Sequence, residues 1–349
     1  MNASAQDLYF PGADSAWEST SPANQGWNGA ALDATLDWCG ESNAHQVLVL
    51  ERGRILAERY WQDSTPAQDC DVASAQKAVV SLVVGALWAR GDLDLEAPMS
   101  TWLGRGWTRA TPAQEDRVLL RHLLTMSSGL FDDFNYETDP DQTWYYNNNA
   151  YHQIRKAIEK LTGRSCQDLF SELLFEPTGM RRTFWRERPQ MLDPHGWALS
   201  GLHTTARDMG RFGLAILAGG SWGGRDLVGN PEYLKKALHP SQELNPSYGY
   251  LWWRLGEPRA IVPGPPRNGS LDPRKSFGGI EVNRPLAIAA PSDTVVAMGA
   301  GDMRLYVVPS YDLVVVRHGG PAGKMAAAGG GFDQQFWSRM ASALPEKNT

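Results

Sequence analysis

Cysteine is scarce in this chain: Cys39, Cys70 and Cys166 are the three present among 349 residues. They are too few and too scattered for a disulfide framework, and no Cys-x-x-Cys pair occurs. The seven histidines show no His-x-x-x-His spacing, so metal catalysis is not supported and no metal or cofactor is expected. Long apolar runs are missing too. No stretch approaches the ~20 residues that a membrane helix needs, so a membrane partner is not expected. Basic charge is not in excess: a net charge of −6 argues against a surface built to neutralise phosphates, which excludes nucleic acid as an expected partner. No basic stretch and apolar run follow Met1, so the chain as written reads as cytoplasmic. Ala3-Ser4-Ala5, however, has the form that ends a signal peptide, which keeps a periplasmic location open. Oligomeric state is not legible.

What is present is ordinary globular material, 42% hydrophobic and 21% charged, with 14 tryptophans. The length predicts about two domains. Residues 46–50 and 55–61 read as two strands around the Gly53 turn. From about Ser74 to Leu217 the pattern is helical. Residues 74–90 are apolar nearly all round, as in a helix buried on every side, and stop at Gly91. Residues 151–162 and 205–218 form two further helices that end at glycine. The period then returns to strands over 294–298, 304–308 and 313–317, an antiparallel meander, followed by a helix over 332–344. Strands at both ends predict an α/β domain from residues 1–70 and 235–349, with a mainly helical domain, 71–234, inserted. Gly256 to Asp293, rich in proline and glycine, reads as a long surface excursion.

Chemistry concentrates in two places. Ser74 and Lys77 lie three residues apart where the buried helix begins, so they share a face. Burial of an ammonium lowers its pKa towards that of a usable base, which a hydroxyl needs to become a nucleophile. The plainer alternative is an N-cap serine with a lysine reaching to the surface. The second place is Trp144-Tyr145-Tyr146-Asn147-Asn148-Asn149, with two overlapping Tyr-x-Asn patterns before a helix. A phenol near an ammonium, its pKa lowered by that charge, serves as a proton shuttle, and an amide beside it binds both lysine and substrate. The alternative is an asparagine-rich helix start with aromatics packed beneath.

Together these segments resemble the serine β-lactamase and penicillin-binding-protein superfamily, in its class C-like branch with carboxylesterases and 6-aminohexanoate-oligomer hydrolases. Residues 27–61 look like that family's first strands, and Ser74 to Lys77 match its first motif. Arg121 to Leu130, Thr204 to Met209 and Tyr248 to Trp253 also look like it. Tyr146-Asn147-Asn148 followed by Tyr151 has the spacing of the second motif, which selects Tyr146 over Tyr145. The resemblance implies an α+β fold of the β-lactamase/transpeptidase type, with an antiparallel sheet flanked by N- and C-terminal helices. An all-helical domain is inserted, and the active site lies in the cleft between the domains. It implies Ser74 as nucleophile, Lys77 and Tyr146 as the proton-transfer pair with the acylation base left open, and Asn148 as the orienting amide. The oxyanion hole would be the N–H groups of Ser74 and Ala300.

One departure stands out. Where the family carries Lys-Thr-Gly, this chain reads Ala297-Met298-Gly299-Ala300-Gly301, without the cation that holds a substrate carboxylate. This favours an esterase or aminohexanoate-type amidase over the alternative of a β-lactamase or D,D-peptidase anchored by another cation such as Arg304. A domain that is acylated but does not turn over is the further alternative. The expected partner is a small-molecule amide, ester or lactam. Tyr136, Trp144, Gly299 and Trp252 are expected at the substrate. Asp132, Asp133 and Tyr136 lie in a loop that borders the pocket in similar amidases, the alternative being a solvated acidic turn. One or two of Trp144, Trp185, Trp197, Trp252 and Trp253 should line an acyl pocket. His318-Gly319-Gly320 reads as a strand-end turn, and Cys70 as a buried structural thiol.

Overall fold

The structure is a computed structural model that describes residues 8–13, 16–263, 279–323 and 331–346. Its strands are β1 (Ala44–Glu51), β2 (Arg54–Tyr60), β3 (Cys70–Asp71), β4 (Phe184–Leu192), β5 (Ala198–Thr204), β6 (Ser221–Trp222), β7 (Arg225–Asp226), β8 (Trp253–Arg254), β9 (Ala260–Val262), β10 (Ile280–Val282), β11 (Val295–Gly299), β12 (Met303–Val308) and β13 (Leu313–Gly319). Its helices are α1 (Gly29–Glu41), α2 (Gln76–Ala89), α3 (Ser100–Leu103), α4 (Pro112–Glu115), α5 (Leu120–Leu124), α6 (Asn148–Thr162), α7 (Cys166–Phe170), α8 (Glu176–Thr178), α9 (Ala206–Leu217), α10 (Pro231–Leu238) and α11 (Gly331–Met340).

The main sheet is antiparallel, in the order β2-β1-β13-β12-β11-β8. The strand nearest the N-terminus thus pairs with the last one, Leu48 opposite Val316. Residues 47–50 and 313–316 are apolar without alternation and fully buried, because both faces of the sheet are covered. Neighbours on β12 mark the two faces. Arg304 meets Asp333 of α11, while Leu305 lies where a Cβ on Gly213 of α9 would be. Glycine at 213 lets α9 lie close upon the sheet. The α+β class and the C-terminal meander are as expected.

Three expectations change. Where the first strands were expected to begin at Trp27, residues 29–41 form α1, capped by Asn28 and burying Leu32, Leu36 and Cys39. The stretch expected to be helical up to Leu217 contains the β4–β5 hairpin, which pairs with β3 as a three-stranded sheet. Strand β4 is mostly exposed and shows no apolar alternation, so its sequence carries no strand signal. Helix α9, inside the span assigned to the helical domain, packs on the main sheet. Of the 256–293 excursion, β9 and β10 pair with each other and residues 264–278 lie outside the described residues, as does Ala3-Ser4-Ala5. Among the described residues no helix is long and apolar enough to cross a membrane.

Candidate active site

Helix α2 starts two residues later than the sequence pattern indicates. Ser74 sits in a 3-10 turn, Ala73–Ala75, immediately before it. Ala73 holds a positive φ of 49°, a conformation that costs an L-residue about 1–2 kcal/mol. The turn is held from two sides. Ala73 N–H donates to Asp71 Oδ1 at 2.8 Å, and Val72 N–H donates to Leu202 O on β5 at 3.0 Å. On the other side Gly299, ending β11, approaches so closely that a Cβ there would run into Val72 O. Gly299 therefore acts on the backbone of the nucleophile turn as well as lining the cavity described below.

Lys77, on the first turn of α2, is 3% exposed. Its Nζ donates to Ser74 Oγ at 3.0 Å and to Asn148 Oδ1 at 2.9 Å. No carboxylate pairs with it among the described residues. Burial, then the charge of Arg188, pushes its pKa down to about 7. The ammonium lies 4.7 Å from the Tyr146 ring centre and 4.5 Å from that of Tyr151. Both ring faces favour the charged form and so work against the desolvation. The lysine is poised between its two states near neutral pH.

Tyr146 differs from expectation. Its phenol is pushed up to about 12 by burial, against a smaller downward pull from Ser74. The ammonium sits over the ring face, and desolvation outweighs it, so Tyr146 stays a neutral proton donor. Beneath it pack Trp144, Tyr248 and, stacked at 26°, Trp253. The neighbouring side chains divide the work cleanly. Tyr145 turns away, its hydroxyl donating to Asp132 at 2.8 Å. Asn147 caps α6 through Ala150 N–H and donates to Leu130 O at 2.8 Å. Asn148 alone reaches Lys77, while Asn149 donates to Asp132 O. The Arg121–Leu130 segment carries this loop: Tyr145 N–H donates to Met126 O, and Asp141 accepts from Ser127 and Arg121.

Ser74, Tyr146, Gly299 and Ala300 line one cavity of about 670 Å³. Its remaining wall is mainly apolar, with Trp253, Val262, Ile280, Val282, Leu286 and Met298; its charged groups among the described residues are Arg304, Arg284, Asp302 and Asp333. The structure does not bring three expected substrate residues there. Trp252 is fully buried and stacked on Phe212. Trp144 is buried one layer below Tyr146. Tyr136 is tied to Asp139 at 2.6 Å. Trp197 is on the surface and Trp185 lies over Arg155, leaving Trp253 as the tryptophan of the five in the wall.

Arg304 is fully occupied. Its five N–H bonds go to Asp333 twice, Gly299 O, Met303 O and Asp302, so none remains for a substrate carboxylate. Burial works against its charge, but the Asp333 carboxylate beside it more than offsets that, so its pKa is raised further. His318 lies inside β13 rather than in a turn after it. It is buried, its pKa pushed down to about 3 by desolvation, and neither ring nitrogen has a partner among the described residues. Burial and the neighbouring Asp71 and Asp69 push the Cys70 thiol up to about 12, so it is unreactive. Among the described residues no three His, Cys, Asp or Glu side chains could hold a metal ion together.

A serine, a buried lysine with no carboxylate paired to it among the described residues, a neutral phenol and an amide, set at the end of the inner strand β11, form an arrangement that can support acyl transfer by a serine. A model of the β-lactamase family matches residues 23–329, and the chain belongs to that family. Esterase EstB of Burkholderia gladioli is 27% identical over 174 residues, a match covering 39% of this chain and 44% of that protein. The chain thus matches less than half the length of this curated relative. A candidate β-lactamase from Bacteroides dorei superposes with a TM-score of 0.67 at 18% identity, covering 92% of this chain and 100% of the other. A candidate 6-aminohexanoate-dimer hydrolase from Bacillus anthracis gives 0.65 at 16% identity, covering 99% and 91%.

Proposed function

We propose that this hydrolase cleaves a small linear ester or amide through an acyl-enzyme on Ser74. The observation that carries the reading is Lys77 Nζ, 3.0 Å from Ser74 Oγ, with no carboxylate paired to the lysine among the described residues. Neutral Lys77 takes the Ser74 proton as Oγ attacks the carbonyl carbon. The oxyanion forms against the N–H groups of Ser74 and Ala300. Tyr146, kept protonated by burial, gives its proton to the leaving oxygen or nitrogen and regains one from Lys77. The carbonyl–leaving-group bond breaks, and water then cleaves the acyl-enzyme by the reverse path. Asn148 orients Lys77 and the substrate.

The wall of the cavity supports this substrate class. Arg304 has no donor left, and the apolar side chains of β9, β10 and β11 outnumber the one other cation in the wall among the described residues, Arg284, which supports an uncharged acyl chain. A β-lactam or a peptidoglycan stem carries a carboxylate that needs a cation. The test is hydrolysis of p-nitrophenyl butyrate, a 6-aminohexanoate dimer and a chromogenic cephalosporin by wild type and Ser74→Ala. Turnover of the ester or linear amide that vanishes in Ser74→Ala is expected. A cephalosporin turned over faster than both would overturn the substrate class. A single burst of labelling without turnover would identify an acylated binding domain instead.

A further inference from the structure

The β4–β5 hairpin reaches the nucleophile turn through one ion pair. Arg188 on β4 donates from Nε to Asp71 Oδ2 at 2.8 Å and from Nη2 to Oδ1 at 2.5 Å, a two-pronged contact. Asp71 Oδ1 also accepts from Ala73 N–H at 2.8 Å, so the same carboxylate holds the residue with a positive φ that precedes Ser74. Between the partners lies Gly201 of β5. A Cβ there would meet Arg188 Nη2 and Asp71 Oδ2 at 2.5 Å each. The side-chain-free position is what lets the pair lie flat across the middle strand. The proposed catalytic roles above use none of these three residues.

We propose that Arg188 and Asp71 are positioning residues of this site: the pair pins the turn that presents Ser74 and keeps the Asp71 carboxylate electrically silent towards Lys77. The inference rests on the reading of Lys77 as the base. The groups facing Lys77 are few. From its own end of α2 there is Ser74; from the loop before α6, Tyr146; from α6, Asn148 and Tyr151, with His152 one turn further. Both phenols are held neutral by burial. His152 is driven well below 6.5 by burial and by the charges of Lys77 and Arg155, so it does not titrate alongside the lysine. Arg188 is the charge that adds to burial in disfavouring the Lys77 ammonium. Asp71, paired to it, would act in the opposite sense if left alone.

Two substitutions therefore have opposite signs. Arg188→Gln removes a positive charge and exposes a negative one, so Lys77 holds its proton longer and the acid limb of kcat/KM moves to higher pH. Asp71→Asn keeps an acceptor for Ala73 N–H but leaves Arg188 uncompensated, so the limb moves to lower pH. Each shift should be roughly half a pH unit or more, about threefold in rate on the limb. The double variant should return near the wild-type limb. Arg188→Lys, which keeps the charge without the fork, should keep the limb and lower kcat.

The experiment reads kcat/KM against pH on an ester probe, alongside the titration of Lys77 by NMR of enzyme labelled with 13Cε-lysine. Thermal melts verify that each variant is folded. Opposite shifts in both readouts, cancelling in the double variant, are the expected result. Shifts of one sign, or none, in the NMR titration overturn the inference, because a merely structural pair cannot invert the direction. Failure of the underlying reading looks different: Lys77 would titrate away from the wild-type acid limb. If Arg188→Gln does not fold, Asp71→Asn and the double variant still decide the matter.

Discussion

At the scale of single residues, the run Tyr145-Tyr146-Asn147-Asn148-Asn149 sends two side chains to Asp132, one to the cap of α6 and two to the site. Tyr146→Phe should cost turnover of the ester probe by orders of magnitude, whereas Tyr145→Phe, which removes a bond to Asp132 on the loop, should stay within a few-fold. The reverse ranking in steady-state kinetics would put Tyr145 in the site. Asn147→Ala removes the cap of α6 and a buried bond to Leu130 O, and should destabilise by about 1–3 kcal/mol in urea unfolding. Lys77 illustrates the converse. A buried ammonium without a carboxylate is a liability to the fold, so Lys77→Met should abolish activity yet stabilise the protein by on the order of 1–3 kcal/mol at or below neutral pH. The sign with pH follows from linkage. Below about 7 the lysine is charged in both states and its full penalty stands. Above about 7 the native lysine is neutral while the unfolded one keeps its proton to about 10.4, so wild-type stability rises and the advantage of Lys77→Met shrinks.

At the scale of elements, the site is a meeting of a turn, a strand end and a helix start. Gly299 is the contact between the first two. Gly299→Ala should push β11 off Val72 and lower kcat/KM by about an order of magnitude or more, with a small change in melting temperature. Activity equal to wild type would mean that the turn yields without consequence. The same elements explain what was legible in the sequence. Ser74 and Lys77 are readable because their relation is confined to one helical turn, and the buried α2 advertises itself by apolar residues on all faces. The strands of the main sheet are readable because both faces are covered and the runs are apolar throughout. Hairpin β4–β5 is not, since most of its first strand faces solvent. Pairings between distant elements leave no local trace either. Nothing near Arg304 announces Asp333, and nothing near Asp71 announces Arg188. Trp252 and Trp253 are identical in composition and neighbours in sequence. Trp252 packs on Phe212, whereas Trp253, the first residue of β8, stacks on Tyr146 and lines the cavity, a division that composition does not announce.

At the scale of the whole molecule, activity and charge are linked through one buried lysine. The pH profile of kcat/KM should show an acid limb near about 7, with activity falling below it as Lys77 becomes protonated. A limb that remains unchanged in a variant lacking Ser74-dependent chemistry would belong to the probe, not the enzyme. The apolar wall predicts that p-nitrophenyl esters of neutral acyl chains are preferred over chains ending in a carboxylate. The comparison is kcat/KM between a butyrate and a succinate half-ester, and a preference for the latter would point to Arg284 as an anchor.

The pairing of β1 with β13 has a consequence for synthesis. As the chain leaves the ribosome, Ser74 and Lys77 emerge long before the residues that finish the site. The first two sheet strands wait with open edges until some 260 residues later their partner arrives, an interval read from the pairing of Leu50 with Val314. Closure over such a span is entropically slow, so this sheet completes only after β13 has been synthesised. Gly299 arrives in the same late portion. The nascent protein therefore carries its serine through more than 200 residues of synthesis without the strand that completes the cavity, and the site is whole only when β11 to β13 dock.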